Sequence, residues 1–291
     1  MELNSEIVTT PPRPAATVVV LRDGPQGLEV LLLRRHHRSD VLGGAYVFPG
    51  GKLDRSDAGP GITARLDRPA HELHAALNEP DTDPLTAAGL YVAALREALE
   101  ESGVLFAHGA SAAQAERASA LLREGHAFEA VLAPLALRLQ ASGLVPWSRW
   151  ITPRVPSVTK KRFDTRFFVS AMPPGQTARH DNHETTESVW LAPRAALEQY
   201  RDNRIALAPP QIMSLAHLAR HDSVHSVLSA ARSRPPPAIL PEPFDEDGTR
   251  VICYPGDDRH SVRERALPGP TRLRFRNHRF EPVGGFDALF E

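Results

Sequence analysis

Cysteine is nearly absent: among 291 residues there is one, Cys253. A single thiol forms no internal disulfide and builds no Cys-based metal centre. A reducing compartment is the simple expectation, with Cys253 as a small structural residue. Surplus charge is missing too. Lysine and arginine number 34 against 35 aspartates and glutamates, which argues neither for nucleic acid nor for an acidic tail. No apolar run approaches the length of a bilayer span. The first residues (MELNSEIVTT) are acidic and lack an apolar core, unlike a secretory signal. The last (ALFE) are not a peroxisomal S-K-L-type address. These absences set the expectation of a cytoplasmic protein with neither a membrane nor a nucleic-acid partner. No internal repeat is present.

What is there supports a sizeable core. Hydrophobic residues make up 42%, and the length suits one enlarged α/β domain or two small ones. Ala15 to Leu21 is a β-branched apolar run, followed by the turn Asp23 to Gly27 and a returning strand at Leu28 to Leu33. Ala45 to Phe48 is a short strand ended by Pro49-Gly50-Gly51. The spacing of Leu90, Val92, Leu95 and Leu99 predicts an amphipathic helix to Glu101, capped by Gly103. A short helix is expected near His71 to Leu77, and one or two over Ala112 to Ala141. Strands resume at Trp147 to Thr152, Arg166 to Met172 and Glu187 to Leu191. Pro193 to Tyr200 and Pro210 to His221 read as helices, each opened by a well-placed proline. Prolines crowd Arg234 to Pro243, which reads as a linker without regular structure in its middle. Beyond it, strands are expected at Arg250 to Tyr254 and Arg272 to Phe275. Strands mixed with helices throughout give a layered α/β domain.

Two stretches carry chemistry. Glu97, Glu100 and Glu101 sit at i, i+3 and i+4 and share a helix face. Such a ridge is either a solvated face salt-bridged by Arg96 or an oxygen-rich site for Mg²⁺ or Mn²⁺. The pair Gly50-Gly51 is either an ordinary turn or a place where backbone approaches a ligand closely.

Taken together, the two resemble the nudix box, G-x5-E-x7-R-E-U-x-E-E-x-G-U, where U is a bulky aliphatic. Gly51 matches the first glycine, and Asp57 stands at the first glutamate position. Arg96, Glu97, Glu100, Glu101, Gly103 and Val104 match in register, with Ala98 at the aliphatic position. Between Asp57 and Arg96 lie 38 residues, where the pattern has about seven. A long insertion here resembles the nudix subgroup that contains the peroxisomal coenzyme A diphosphatase. Leu31 to Asp57 is similar to the motif preceding the box in coenzyme A-cleaving members, and the resemblance runs from Pro14 to Ser223.

That resemblance implies a nudix-type α/β/α sandwich with a mixed sheet, helical insertions and a C-terminal extension. The nudix domain is expected over residues 14–223, with insertions at about 58–89 and 110–143. Residues 224–291 are expected to be linker and extension, shaping the pocket or a homodimer contact. The resemblance implies metal-assisted attack of water on a nucleoside diphosphate derivative, namely coenzyme A or acyl-CoA, giving 3′,5′-ADP and (acyl-)4′-phosphopantetheine. Other substrates remain open: ADP-ribose, a nucleotide sugar or a dinucleotide. So does a non-catalytic nucleotide-binding regulator, although the intact box acids favour catalysis.

By the same resemblance Glu97, Glu100, Glu101 and the Gly51 carbonyl would hold the metal, and Arg96 would orient a box glutamate. The general base would be a box glutamate or a distant carboxylate, Glu187 first and Glu184 next. Phosphate oxygens would meet Arg34, Arg35 and Arg38, or Lys160, Lys161 and Arg162, beside Gly50 and Gly51. His71, His74, His180 and His183 lack the partner residues of a zinc enzyme and are expected in loops or on the surface. Trp147, Trp150 and Trp190 are expected in the core or a pocket wall.

Overall fold

Strands β1 (Arg13–Gly24) and β2 (Gly27–Arg35) form the expected hairpin, joined by a glycine turn. They pair only near the turn, from Leu21↔Val30 to Gly24↔Gly27. Beyond it they splay, and two short strands fill the gap. β3 (Tyr46–Val47) pairs with β2, and β4 (Gly50–Lys52) pairs with β1 at Ala16↔Gly51 and Thr17↔Gly50. The Pro49 carbonyl between them accepts from Val18 N at 2.9 Å. The computed structural model describes residue 3 and residues 6–39, 42–155 and 161–291.

The chain then runs through short helices α1 (Pro60–Thr63) and α2 (Ala70–Leu77) into the long α3 (Pro84–Ser102). α4 (Ala112–Arg123) and α5 (Phe128–Leu132) precede β5 (Val145–Ile151), β6 (Phe163–Ala171) and β7 (Thr185–Leu191). Helices α6 (Pro193–Arg201), α7 (Pro209–Leu218) and α8 (Val224–Arg232) follow. β1 lies parallel to β6, whereas β2 runs antiparallel to β1 and β7, so the main sheet is mixed.

Strand alternation sorts the core into two layers. Ala16, Val18, Val20, Leu31 and Leu33 face α2 to α5, while Val19, Leu21, Val30 and Leu32 face α6 to α8. With both faces covered, a continuous apolar run is the right pattern for these strands. The result is the α/β/α sandwich expected from the sequence.

The proline-rich stretch differs from expectation. In its middle, β8 (Ala238–Ile239) pairs with β5 at Arg149↔Ala238 and Trp150↔Ile239. Proline is tolerated on sheet edges, and the flanking prolines leave two residues free to add an edge strand. Beyond it, β9 (Glu242–Glu246), β10 (Thr249–Cys253), β11 (Arg272–Arg276) and β12 (Arg279–Pro282) form a second, antiparallel sheet. Its Ile252, Leu273 and Phe280, with Tyr254 just after β10, are buried in the same core as α6 and α7. Among the described residues, no helix is long and apolar enough to cross a membrane.

Candidate active site

Helix α3 is set by its ends. The Asp83 side chain accepts from Leu85 N at 3.0 Å and Thr86 N at 2.9 Å, Pro84 opens the first turn, and Gly103 closes the last in the left-handed conformation (φ 69°). The helix is not amphipathic along its middle as the spacing suggested: Ala87 to Leu95 are all buried. Alanines and Gly89 let neighbours close in around it, and a Cβ at Gly89 would meet Ala58 Cβ at 3.0 Å. Only the last turn and a half turns polar, and it meets the bend of β4.

That meeting depends on glycine. Gly50 N donates to Glu101 Oε2 at 3.0 Å. A Cβ on Gly50 would sit 2.6 Å from the Ala16 carbonyl oxygen, and one on Gly51 would collide with the Glu97 carboxylate. Gly50 is required by the close approach of β1, and Gly51 by the close approach of the Glu97 carboxylate.

Arg96 gathers the acids. Its Nε and Nη2 donate to Asp57 at 2.9 and 3.0 Å, a bidentate pair. Nη1 donates to Glu97 at 2.8 Å and Glu100 at 2.7 Å, and Nη2 also reaches the Lys52 carbonyl at 3.1 Å. Asp57 is buried and accepts from Asp54 N at 2.9 Å as well. The inserted residues pack Ile62, Leu66, Leu73 and Leu77 into the same core as α3, and Asp57 at their start sits against Arg96.

Burial dominates the electrostatics. It pushes the Glu97 carboxyl up to about 7; Arg96 opposes the rise and Glu100 adds to it. Glu100 is raised by burial. Glu101, fully buried, is raised well above the carboxylate range by burial and then by Glu97. Among the described residues its Oε1 has no hydrogen-bond partner; Arg35 Nη1 is 3.9 Å away. Burial works against the Arg96 charge, yet its hydrogen bonds to Asp57 and the surrounding carboxylates hold its pKa above the usual arginine value.

Glu101 and Asp57 are buried behind the lining; the other groups open onto a cleft of about 680 Å³. Gly50, Gly51, Arg96, Glu97 and Glu100 line one side, with Arg35 and Glu184 beside them. Phe48, Trp150 and Phe167 give another wall an aromatic surface, with Phe48 and Phe167 edge to face at 6.3 Å. Pro241 and Ile252, from the C-terminal segment, also line it.

The sequence model of the NUDT19 Nudix domain matches residues 8–218. That span is most of the chain and includes the glycine bend, the insertion and the acidic helix. The chain belongs to the nudix family. Among curated proteins it is 29% identical over 248 residues to an acyl-coenzyme A diphosphatase NUDT19 of Gallus gallus, covering 70% of this chain and 64% of that one. It is 26% identical over 234 residues to the protein of that name from Xenopus laevis, covering 68% and 62%. The chain thus spans less than two thirds of the length of these relatives. Among solved structures it resembles a nudix hydrolase of Alicyclobacillus acidocaldarius: TM-score 0.59, 29% identity, 76% of this chain and 97% of that one.

Nudix hydrolases generally use divalent cations, and the donors here fit one. Among the described residues no three His, Cys, Asp or Glu side chains already converge as a closed metal site, because Arg96 draws Glu97 and Glu100 to itself. Mg²⁺ needs less than that: it takes one or two carboxylates and fills its shell with water and substrate oxygens. Glu101 Oε1 accepts no hydrogen bond among the described residues and has Arg35 3.9 Å away as its cation; beside it stand two further carboxylates of raised pKa.

Not every nudix-box neighbour expected at the site reaches the cleft. Adjacent residues on a strand point to opposite faces. Arg35 lines the cleft, but Arg34 turns away, 3.7 Å from Glu187 and 3.3 Å from His37. Register pairs Arg34 with Glu187, so Glu187 shares that outer position and accepts from Tyr46 OH at 2.7 Å. Neither Arg34 nor Glu187 is among the lining residues. Glu184 is, and Arg35 Nη2 lies 4.0 Å from it. Asp181 fixes that turn by accepting from the backbone N–H groups of His183, Glu184 and Thr185.

Lys161 lines the cleft; Lys160 lies outside the described residues, and Arg162 is tied to the Thr10 and Thr152 carbonyls. None of His71, His74, His180 and His183 lines it. Trp147 is buried against His217, whereas Trp150 forms cleft wall. Sequence reading missed Phe167, Gln211, Pro241 and Ile252 as cleft residues. Nothing local marks them: they meet only when the second sheet packs against α7 and β5.

Proposed function

We propose that this nudix chain is a metal-dependent pyrophosphohydrolase that cleaves the diphosphate of coenzyme A or acyl-CoA. The products would be 3′,5′-ADP and (acyl-)4′-phosphopantetheine. The observation that carries the reading is the meeting of Glu101 with Gly50 and of Glu97 with Gly51, where Glu97, Glu100 and the glycine bend line a large cleft with an aromatic wall. The names of the curated relatives point to the same substrate class.

When bound, Mg²⁺ or Mn²⁺ supplies charge neutralisation for the diphosphate oxygens and acidifies an attacking water. Glu97 and Glu101 would hold it, with Glu100 as a further or water-bridged ligand and the Gly51 carbonyl beside them. Arg96 positions Glu97 and Glu100 through its paired hydrogen bonds and is itself held by Asp57. Arg35 contacts diphosphate oxygens as a planar, always-charged donor. Glu184 accepts the proton of the attacking water; it is preferred to Glu187 because it faces the cleft. Phe48, Trp150 and Phe167 cover the apolar part of the substrate and exclude water from it. Phosphoryl transfer asks mainly for such positioning and charge stabilisation.

The test is incubation with coenzyme A, an acyl-CoA, ADP-ribose and NADH, each with Mg²⁺ and with Mn²⁺, and products read by mass. The reading expects 3′,5′-ADP from the first two. Coenzyme A and acyl-CoA left uncut while another substrate is cleaved would overturn the substrate and leave the hydrolase.

A further inference from the structure

Several polar side chains line the cleft outside the chemistry above, and among the described residues one of them is buried with an unpartnered oxygen. Gln211, in the first turn of α7, is 7% exposed, and its Oε1 has no hydrogen-bond partner among the described residues. It is nevertheless a lining residue of the cleft. A buried amide oxygen without a partner is costly, and a leucine of similar size would avoid the cost.

The surroundings say what would satisfy it. Residues 209 and 210 are prolines and lend the helix end no N–H groups, so the α7 wall is apolar up to Gln211. This helix end is therefore poorly suited to phosphate, whose recognition uses those N–H groups. Tyr46 N donates to the Ala206 carbonyl at 2.9 Å, which draws the entry to α7 against the strand leading to Phe48. The aromatic wall of Phe48, Phe167 and Trp150 thus lines the same cleft. A carboxamide offers an acceptor and two donors on one plane. A planar wall beside such a group suits a partner that presents an acceptor next to a donor.

We infer that Gln211 is a substrate-binding residue whose carboxamide pairs with an amide- or amidine-type edge of the substrate. Within a coenzyme A-like molecule two sources carry that edge, the adenine ring and the amides of the pantetheine arm. The inference deepens the reading given above and rests on it for the substrate, but not for the residue.

The test uses Gln211→Leu and the near-isosteric Gln211→Met. Loss of an unpartnered carbonyl leaves Tm unchanged or raises it. KM for coenzyme A rises about tenfold or more, with kcat within about twofold, because a site built to hydrogen-bond discriminates strongly against loss of the bond. Calorimetric binding of 3′,5′-ADP and of pantetheine identifies the source: the fragment carrying the paired edge loses affinity and the other keeps it. Unchanged KM with equal affinity of variant and wild type for both fragments overturns the inference, as does wild type binding neither. A fall in Tm with kcat reduced and KM unmoved in both variants also overturns it, since that marks a structural role. If wild type leaves coenzyme A uncut yet Gln211→Leu loses 3′,5′-ADP affinity, the residue assignment stands and the substrate reading falls.

Discussion

Arg96 holds Asp57 through two hydrogen bonds, 2.9 and 3.0 Å, although the residues are 39 positions apart in sequence. Both are buried, and the same guanidinium orients Glu97 and Glu100. Replacing Asp57 by alanine leaves a buried positive charge short of its main partner. Removal of one member of a buried pair costs about 3 kcal/mol or more. Urea unfolding of Asp57→Ala should show that loss, with activity falling too. Wild-type stability would mean that Arg96 does not depend on the far end of the insertion.

Glu101→Gln removes the carboxylate that meets Gly50 and carries the unpartnered oxygen. Turnover should fall by at least about a hundredfold, while Tm holds or rises because a fully buried acid becomes neutral. Near-normal turnover on every nudix-type substrate would remove Glu101 from the site.

Gly51→Ala tests close approach. The added methyl would collide with the Glu97 carboxylate, which Arg96 prevents from swinging freely. Metal-dependent activity should drop about tenfold or more with far-ultraviolet circular dichroism unchanged. An active Gly51→Ala enzyme would show that the bend needs no such contact.

Arg35 and Arg34 should behave differently although they are neighbours. Arg35→Ala should raise KM for coenzyme A more than for a nucleotide sugar. Arg34→Ala, outside the cleft lining, should leave both within about twofold. Equal effects of the two substitutions would contradict the strand-face assignment.

Glu97 also predicts a pH dependence of stability. Its folded pKa of about 7 lies above the ordinary 4.5. Between those values the folded state keeps a proton that the unfolded state has released, so stability falls as pH rises through the window. Metal-free protein should therefore lose stability from about pH 4.5 to 7, and Glu97→Gln should lose less. Added Mg²⁺ should restore the wild type at the upper end by binding the ionised form. A wild-type profile parallel to that of Glu97→Gln would sink this account of the carboxylate.

Much of the candidate site was legible in the sequence because helical spacing alone brings residues at i, i+3 and i+4 to one face. Arg96, Glu97, Glu100, Glu101 and Gly103 share one helix end, and glycine is forced at 50 by the β1 backbone and at 51 by the Glu97 carboxylate. The hairpin of β1 and β2 and the proline-opened helices α6 and α7 were equally readable from local pattern. Helix α8 was missed although its signals were present: Ser223 caps it, accepting from Ser226 N, and Val224, Val227 and Ala231 repeat on one face. Strand alternation alone would have separated Arg34 from Arg35. By contrast, the pairing of Ala238 and Ile239 with β5, and the arrival of Ile252 at the cleft, depend on long-range packing that local sequence does not encode.

The central claim is that a glycine bend and an acidic helix end jointly hold a divalent cation. Anomalous diffraction from crystals grown with Mn²⁺ tests it most directly. The account predicts a peak within about 2.5 Å of carboxylate oxygens of Glu97 and Glu101, beside Gly51, and its loss in Glu101→Gln. Full Mn²⁺ occupancy elsewhere, with none at these residues, would contradict it.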